Sequence, residues 1–205
     1  MKSRYWLVII LVFIVFYQGI IMCRGNRTTQ TAVPIKVESL AYYSGELNGQ
    51  EYVDLGLTSG LKWATKNIGA DKPTDFGDCY DFGGTEPNVR SKIPIIEKNA
   101  SLEYDAAHIY WGKGWRLPTN MEFQELKDEC KWVWVKVSGV YGMQITGPNG
   151  NSIFLPAAFE YKGEYWSSTM SNGSALQLGF VYDRFSIWPV ARAKCGYISV
   201  RPVTE

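Results

Sequence analysis

From Lys131 onward the chain alternates apolar and polar positions with the period of a strand. Val133, Val135 and Val137 fall on one side and Trp132, Trp134 and Lys136 on the other, because successive strand side chains point to opposite faces. Met143 and Ile145 alternate with Gln144 and Thr146, and residues 153–155 read as the strand returning across Pro148-Asn149-Gly150-Asn151. Asn-Gly marks that turn because it reaches positive φ at low cost. Leu176, Leu178 and Phe180 repeat the alternation, as do Ile198 and Val200 against Tyr197 and Ser199. Upstream, two short apolar runs at 51–57 and 61–67 flank Thr58-Ser59-Gly60 and predict a hairpin.

Between these stretches the period turns helical. Residues 105–111 predict a short helix stopped by Gly112. Thr119 is the N-cap of a second helix, with Pro118 ahead of it and Glu122 at the capping-box spacing, where each side chain bonds the other's backbone amide. Phe123, Leu126 and Cys130 then share one face, turned to a core. Residues 69–100 are rich in Asp, Gly, Pro and Lys without a period, which predicts a long loop of the functional or mobile kind. Two helices followed by a run of antiparallel strands give an α+β fold.

The N-terminus stands apart. Lys2 and Arg4 precede an apolar run from Trp6 to Met22, the pattern of an export signal and slightly short for a membrane span. Two readings of its end stay open. As a lipoprotein signal it would be cleaved and Cys23 acylated; Met22, where such processing favours a small residue, suits an uncleaved anchor with a cytoplasmic N-terminus. The organisation is then an export signal or anchor at 1–23, a polar tether at 24–47 and one domain at 48–205. The expected location is the cell envelope, as an outer-membrane lipoprotein or a membrane-anchored protein.

Composition narrows the class. Eight Trp, 13 Tyr, nine Phe and 20 Gly against one His suit a loop-rich fold with aromatic anchors rather than a helical bundle. Five of the 21 basic residues but one of the 20 acidic ones precede residue 45, so the remainder holds 16 against 19, a net charge of −3. A mildly acidic domain lacks the basic footprint that nucleic-acid binding needs, so no nucleic-acid partner is expected.

Several phrases occur in a fixed order: Glu51-Tyr52-Val53-Asp54-Leu55-Gly56-Leu57, Leu61-Lys62-Trp63-Ala64-Thr65, Gly114-Trp115-Arg116-Leu117-Pro118-Thr119 with Glu122-Phe123, Asn149-Gly150-Asn151-Ser152-Ile153-Phe154-Leu155-Pro156-Ala157, Tyr165-Trp166-Ser167-Ser168-Thr169 and Ser199-Val200-Arg201-Pro202-Val203. Together they resemble the Fibrobacter succinogenes major paralogous domain, a family abundant in Bacteroides-type gut bacteria. The resemblance implies a C-type-lectin-like fold: two helices packed on antiparallel sheets, long loops, and the two ends of the domain in one sheet. It implies kinship with formylglycine-generating sulfatase-modifying proteins and with the variable receptors of diversity-generating retroelements.

Candidate chemistry is sparse. Glu86-Pro87-Asn88 is the triplet that supplies Ca²⁺ ligands in calcium-dependent lectins, but it precedes both helices and no Trp-Asn-Asp follows, so it reads as a loop turn. His108, the single histidine, lies amid Ala107, Ile109 and Tyr110 and reads as structural. A copper-dependent oxidase like the formylglycine-generating proteins would need a second late cysteine beside Cys195. Once Cys23 is set aside, Cys79, Cys130 and Cys195 are an odd count whose pairing stays open. No metal, cofactor or catalytic residue is therefore expected. Trp115, Trp166, Arg116 and Arg201 read as core anchors and structural pairs.

The stretch 170–194 differs, because it lies between two phrases and shows little of their pattern. It carries Tyr182, Asp183, Arg184, Trp188 and Arg192, the residue types that make binding hot spots. In the retroelement-diversified relatives the corresponding stretch is the displayed recognition surface. The expected function is an envelope-anchored, non-catalytic binding or adhesion module for a glycan or protein ligand. A structural envelope or fimbria-associated component is the alternative.

Overall fold

The alternation that begins at Lys131 folds into a meander. The computed structural model describes residues 35–36, 43–88, 101–158, 161–182, 184–190 and 198–205, all within the unit Pro34–Glu205. In it, β5 (Lys131–Val137), β6 (Val140–Thr146) and β7 (Ser152–Pro156) run antiparallel, and the short β1 (Ile35–Lys36) adds to β5 in parallel. Ser138-Gly139, both at positive φ, close the tight turn between β5 and β6.

A second sheet is the antiparallel meander β8 (Gly163–Ser171), β9 (Ser174–Val181) and β10 (Arg184–Val190), with β10 at its edge. The third contains β2 (Gly45–Leu47), β3 (Gln50–Asp54), β4 (Lys62–Ala64) and β11 (Val203–Thr204), in the order β11-β4-β3-β2. The last strand thus pairs with one of the first. The described residues form a mixed α+β fold with antiparallel sheets and two α-helices, α1 (Ala106–Trp111) and α2 (Asn120–Glu129), after a 3-10 turn at Leu102–Tyr104.

The hairpin expected around Thr58-Ser59-Gly60 is β3–β4. Asp105 caps α1 by accepting from the Ala107 and His108 amides, and Gly112 ends it. Thr119 and Glu122 form the capping box of α2, which buries Phe123 and Leu126. Cys130 is the C-cap and packs at the margin of the core, not on a further helical turn.

Both faces of β5 are covered: Val135 and Val137 pack with Phe154, while Trp132 and Trp134 lean on the main core. Two expectations need correcting. The alternation around Ser199 gives no regular strand; Ile198, Ser199 and Val200 are all buried, and Ser199 forms isolated bridges to Cys79 and Tyr165. The described part of the long loop is packed, since Ala70, Thr74, Tyr80, Asp81 and Phe82 are buried. Residues 89–100 lie outside the described residues.

The β8–β9 pair is buried on both sides. Tyr165, Leu178 and Phe180 face the main cluster, which includes Trp63, Phe123 and Leu155, whereas Trp166 and Ala175 face a second cluster with Tyr80, Trp115 and Ile198. Gly163 makes room for this: a Cβ there would enter the ring of Phe180, its cross-strand partner.

The phrases bind one another. Arg116 and Val203 exchange backbone hydrogen bonds at 3.1 and 3.0 Å. Ser168 N donates to Pro118 O at 2.8 Å, and Asn120 N to Thr169 Oγ1 at 3.0 Å, where the β8–β9 register shifts. The Asn149 and Asn151 amides both donate to Asp54 O.

Candidate functional site

The phrase residues are spent on the core. The Trp115 indole donates to Leu47 O at 3.0 Å and the Trp166 indole to Tyr80 O at 2.7 Å, both rings being buried. Arg116 forms a bidentate pair with Glu122 and a third bond to Glu205, which holds its charge on.

Arg201 departs from the expected structural ion pair. It is fully buried, and its guanidinium donates to Asn67 Oδ1, Ala64 O, Thr65 O and Phe154 O, all neutral acceptors. Burial lowers its pKa to about 10 despite the neighbouring Tyr165, whose own hydroxyl burial pushes up to about 12. Arg201 therefore joins the β4 end, β7 and the C-terminal segment from within.

Glu86-Pro87-Asn88 is a loop closure. The Asn88 carbonyl accepts from Cys79 N and lies 3.0 Å from Cys79 Sγ, and its amide donates to Asp78. Both ends of the side chain are engaged within the loop, and no group of three or more metal-ligating side chains occurs among the described residues. Cys130 is a partly buried thiol, its pKa raised to about 12 by burial and by Glu129 and Glu125, which suppresses thiolate chemistry there.

The stretch singled out for recognition is the β9–β10 hairpin. Tyr182 sits at its turn with 39% of its surface exposed. Arg184 opens β10, exposed and opposite Val181. Trp188 lies in β10 opposite Gln177, but its side chain is outside the described residues, as are Asp183, Arg192 and the lipidation candidate Cys23. The structure thus brings Tyr182 and Arg184 together at one end of the hairpin.

It also joins Tyr182 to residues the sequence reading did not weigh. On β5 and β6, Trp134, Lys136 and Tyr141 share one face. That face runs from the core at Ile145 outward, and its outer end meets the hairpin. The Trp134 ring lies 5.9 Å from Tyr182, edge to face, and 6.0 Å from Tyr141 with planes 13° apart. Tyr141 in turn lies 5.0 Å from Tyr161, which is 59% exposed. The Lys136 ammonium stands 4.6 Å over the Tyr141 ring.

Behind this row Phe180 touches Trp132 and Trp134 edge-on, and Trp132 stacks on Phe185 at 4.4 Å. The signal available in the sequence was the position of Trp134 and Lys136 on one strand face. That Tyr141, Tyr161 and Tyr182 come to meet them follows from the packing of two sheets. Compared with known proteins, the chain matches no family model, no curated protein and no solved structure.

Proposed function

We propose that this chain is an exported, envelope-anchored, non-catalytic binding or adhesion module with a C-type-lectin-like fold, of the kind the sequence phrases resemble. One observation carries the reading. The phrases are consumed by mutual hydrogen bonds inside the domain, whereas the β9–β10 hairpin presents Tyr182 and Arg184 outward beside further aromatic rings. Tyr, Trp and Arg at such a surface supply contact area and hydrogen bonds at modest entropic cost. The pairing of β11 with β4 joins the two ends of the domain in one sheet, as the resemblance implies, and so supports the fold assignment.

The ligand is a glycan or a protein at the cell surface, and the membrane is reached through the N-terminus. An oxidase would need thiol chemistry; Cys130 is held protonated and Cys195 has no late partner in the sequence. A glycan array probed with the full chain, alongside Tyr182→Ala and Arg184→Ala, tests the reading. Binding that falls in at least one variant supports it. An empty array, together with no binding to isolated envelope proteins, overturns it in favour of a structural component. For the anchor, Cys23→Ala should release the chain from membranes if Cys23 is acylated; unchanged fractionation supports an uncleaved anchor.

A further inference from the structure

We propose that Asn172 is a site of spontaneous covalent modification, where the side-chain amide is lost and the residue becomes isoaspartate or aspartate. The chain holds three Asn-Gly pairs: Asn48-Gly49, Asn149-Gly150 and Asn172-Gly173. They sit at the β2–β3, β6–β7 and β8–β9 turns, each with its glycine at positive φ. The dipeptide gives all three the same intrinsic chemistry, because a glycine places no Cβ beside the nitrogen that must attack. Their surroundings differ.

Two of the three side chains are clamped. Asn48 Nδ2 donates to Trp111 O at 3.0 Å and to Lys113 O at 2.9 Å, which ties the β2–β3 turn to the end of α1. Asn149 Nδ2 donates to Asp54 O at 2.9 Å, its Oδ1 accepts from Asn151 N at 3.0 Å, and Gly150 N donates to Gly147 O. Asn172 is exposed, and among the described residues neither its side-chain amide nor Gly173 N has a hydrogen-bond partner. A Cβ built on Gly173 would meet nothing within 4 Å, so the space around it is open.

The step needs no reagent but water. The Gly173 backbone nitrogen gives up its proton and attacks Asn172 Cγ. The new N–Cγ bond closes a five-membered succinimide, the Cγ–Nδ2 bond breaks, and Nδ2 leaves as ammonia with that proton. Water then opens the ring. Attack at the main-chain carbonyl leaves isoaspartate, and attack at Cγ leaves aspartate. One neutral amide has become one carboxylate, with no change of oxidation state.

Ring closure requires the Asn172 backbone and side chain to turn toward Gly173, and the hairpin end permits this. The β8–β9 register breaks between Trp166 and Met170, and two pairs, Met170–Ala175 and Ser171–Ser174, lie beyond the break. So short an end opens at low free-energy cost. Asn48 and Asn149 cannot turn without giving up bonds to distant segments. Isoaspartate also adds a main-chain carbon to a two-residue turn whose geometry sets the strand register, so the modified end should stay loosened.

Peptide mapping of the full chain by mass spectrometry, after warming at mildly alkaline pH, tests this. Asn172 should gain one mass unit at least about tenfold faster than Asn48 or Asn149 while the chain is folded. In urea the three should convert at similar rates, because the clamps are then gone. Labelling by an isoaspartyl methyltransferase should fall on the peptide that contains residue 172. Asn172→Gln should remove the acidic species that anion exchange resolves in the aged wild type. Conversion of Asn48 or Asn149 as fast as Asn172 in the folded chain would overturn the proposal, and so would an unmodified Asn172 in a folded sample whose urea-treated counterpart converts.

Discussion

Trp166 on β8 and Trp134 on β5 carry the same indole, yet they do opposite work. Trp166 is sealed between Phe82 and the second hydrophobic cluster, with its N–H on the Tyr80 carbonyl. Trp134 is half-buried, touches Tyr141 and Tyr182, and keeps its N–H toward water. The two arginines repeat the contrast: Arg201 is buried among four carbonyl-type acceptors, and Arg184 is exposed at the start of β10. Residue type alone does not separate anchor from contact. What separates them is burial: Trp166 and Arg201 are sealed in the core, whereas Trp134 is half-buried and Arg184 exposed.

The widest gap should open at the two arginines. Arg201→Met leaves four buried acceptors without a donor and should cost about 3–5 kcal/mol, a large share of a typical domain's stability. Arg201→Lys should recover little of it, because an ammonium cannot reproduce the planar fork. Urea midpoints measure both. Arg201→Met at wild-type stability would mean that the guanidinium does not hold these segments together.

The tryptophans sharpen the same comparison. Trp166→Ala should cost about 3–5 kcal/mol, as loss of a buried large side chain does. Trp134→Ala should cost about 1–2 kcal/mol, because part of its ring already meets water. Equal losses in thermal melts would erase the distinction between the two regions.

Next comes the capping box. Burial pushes the Glu122 carboxyl up, but bonds from Arg116 and from the Thr119 backbone outweigh this and hold it below its ordinary value. A carboxyl depressed in the folded state stabilises fully above its unfolded pKa, and that contribution fades as pH falls through the folded value. Glu122→Gln should therefore be about 1 kcal/mol less stable than wild type at neutral pH. The difference should close in acid, and a gap that stays constant from neutral to about pH 3 would contradict the assignment.

The smallest effect belongs to the hairpin. Arg184→Ala should shift stability by no more than about 0.5 kcal/mol, as ordinary surface changes do. A loss several times larger would put Arg184 with the anchors.

Much of the local structure was legible because its causes are local. Thr119 and Glu122 cap a helix wherever they stand three residues apart, Gly112 stops one, and the valines of β5 alternate because the pleat does. The ordered phrases also marked the residues that clasp the core. The alternation misled around Ser199, where three consecutive residues are buried. There Cys79 and Tyr165, from distant parts of the chain, form bridges to Ser199 in place of a regular strand.

By itself, then, the sequence determined an α+β chain with two capped helices and antiparallel strands, since caps, turns and alternation depend on residues a few positions apart. Only the tertiary structure decided which aromatics are anchors and which are surface. Tyr141, Trp134, Tyr161 and Tyr182 are separated along the chain and meet only because one face of the β5–β6 pair packs at its outer end against the β9–β10 hairpin. Ring contact and polar satisfaction are properties of that packing, set by the register of two sheets rather than by any run of residues.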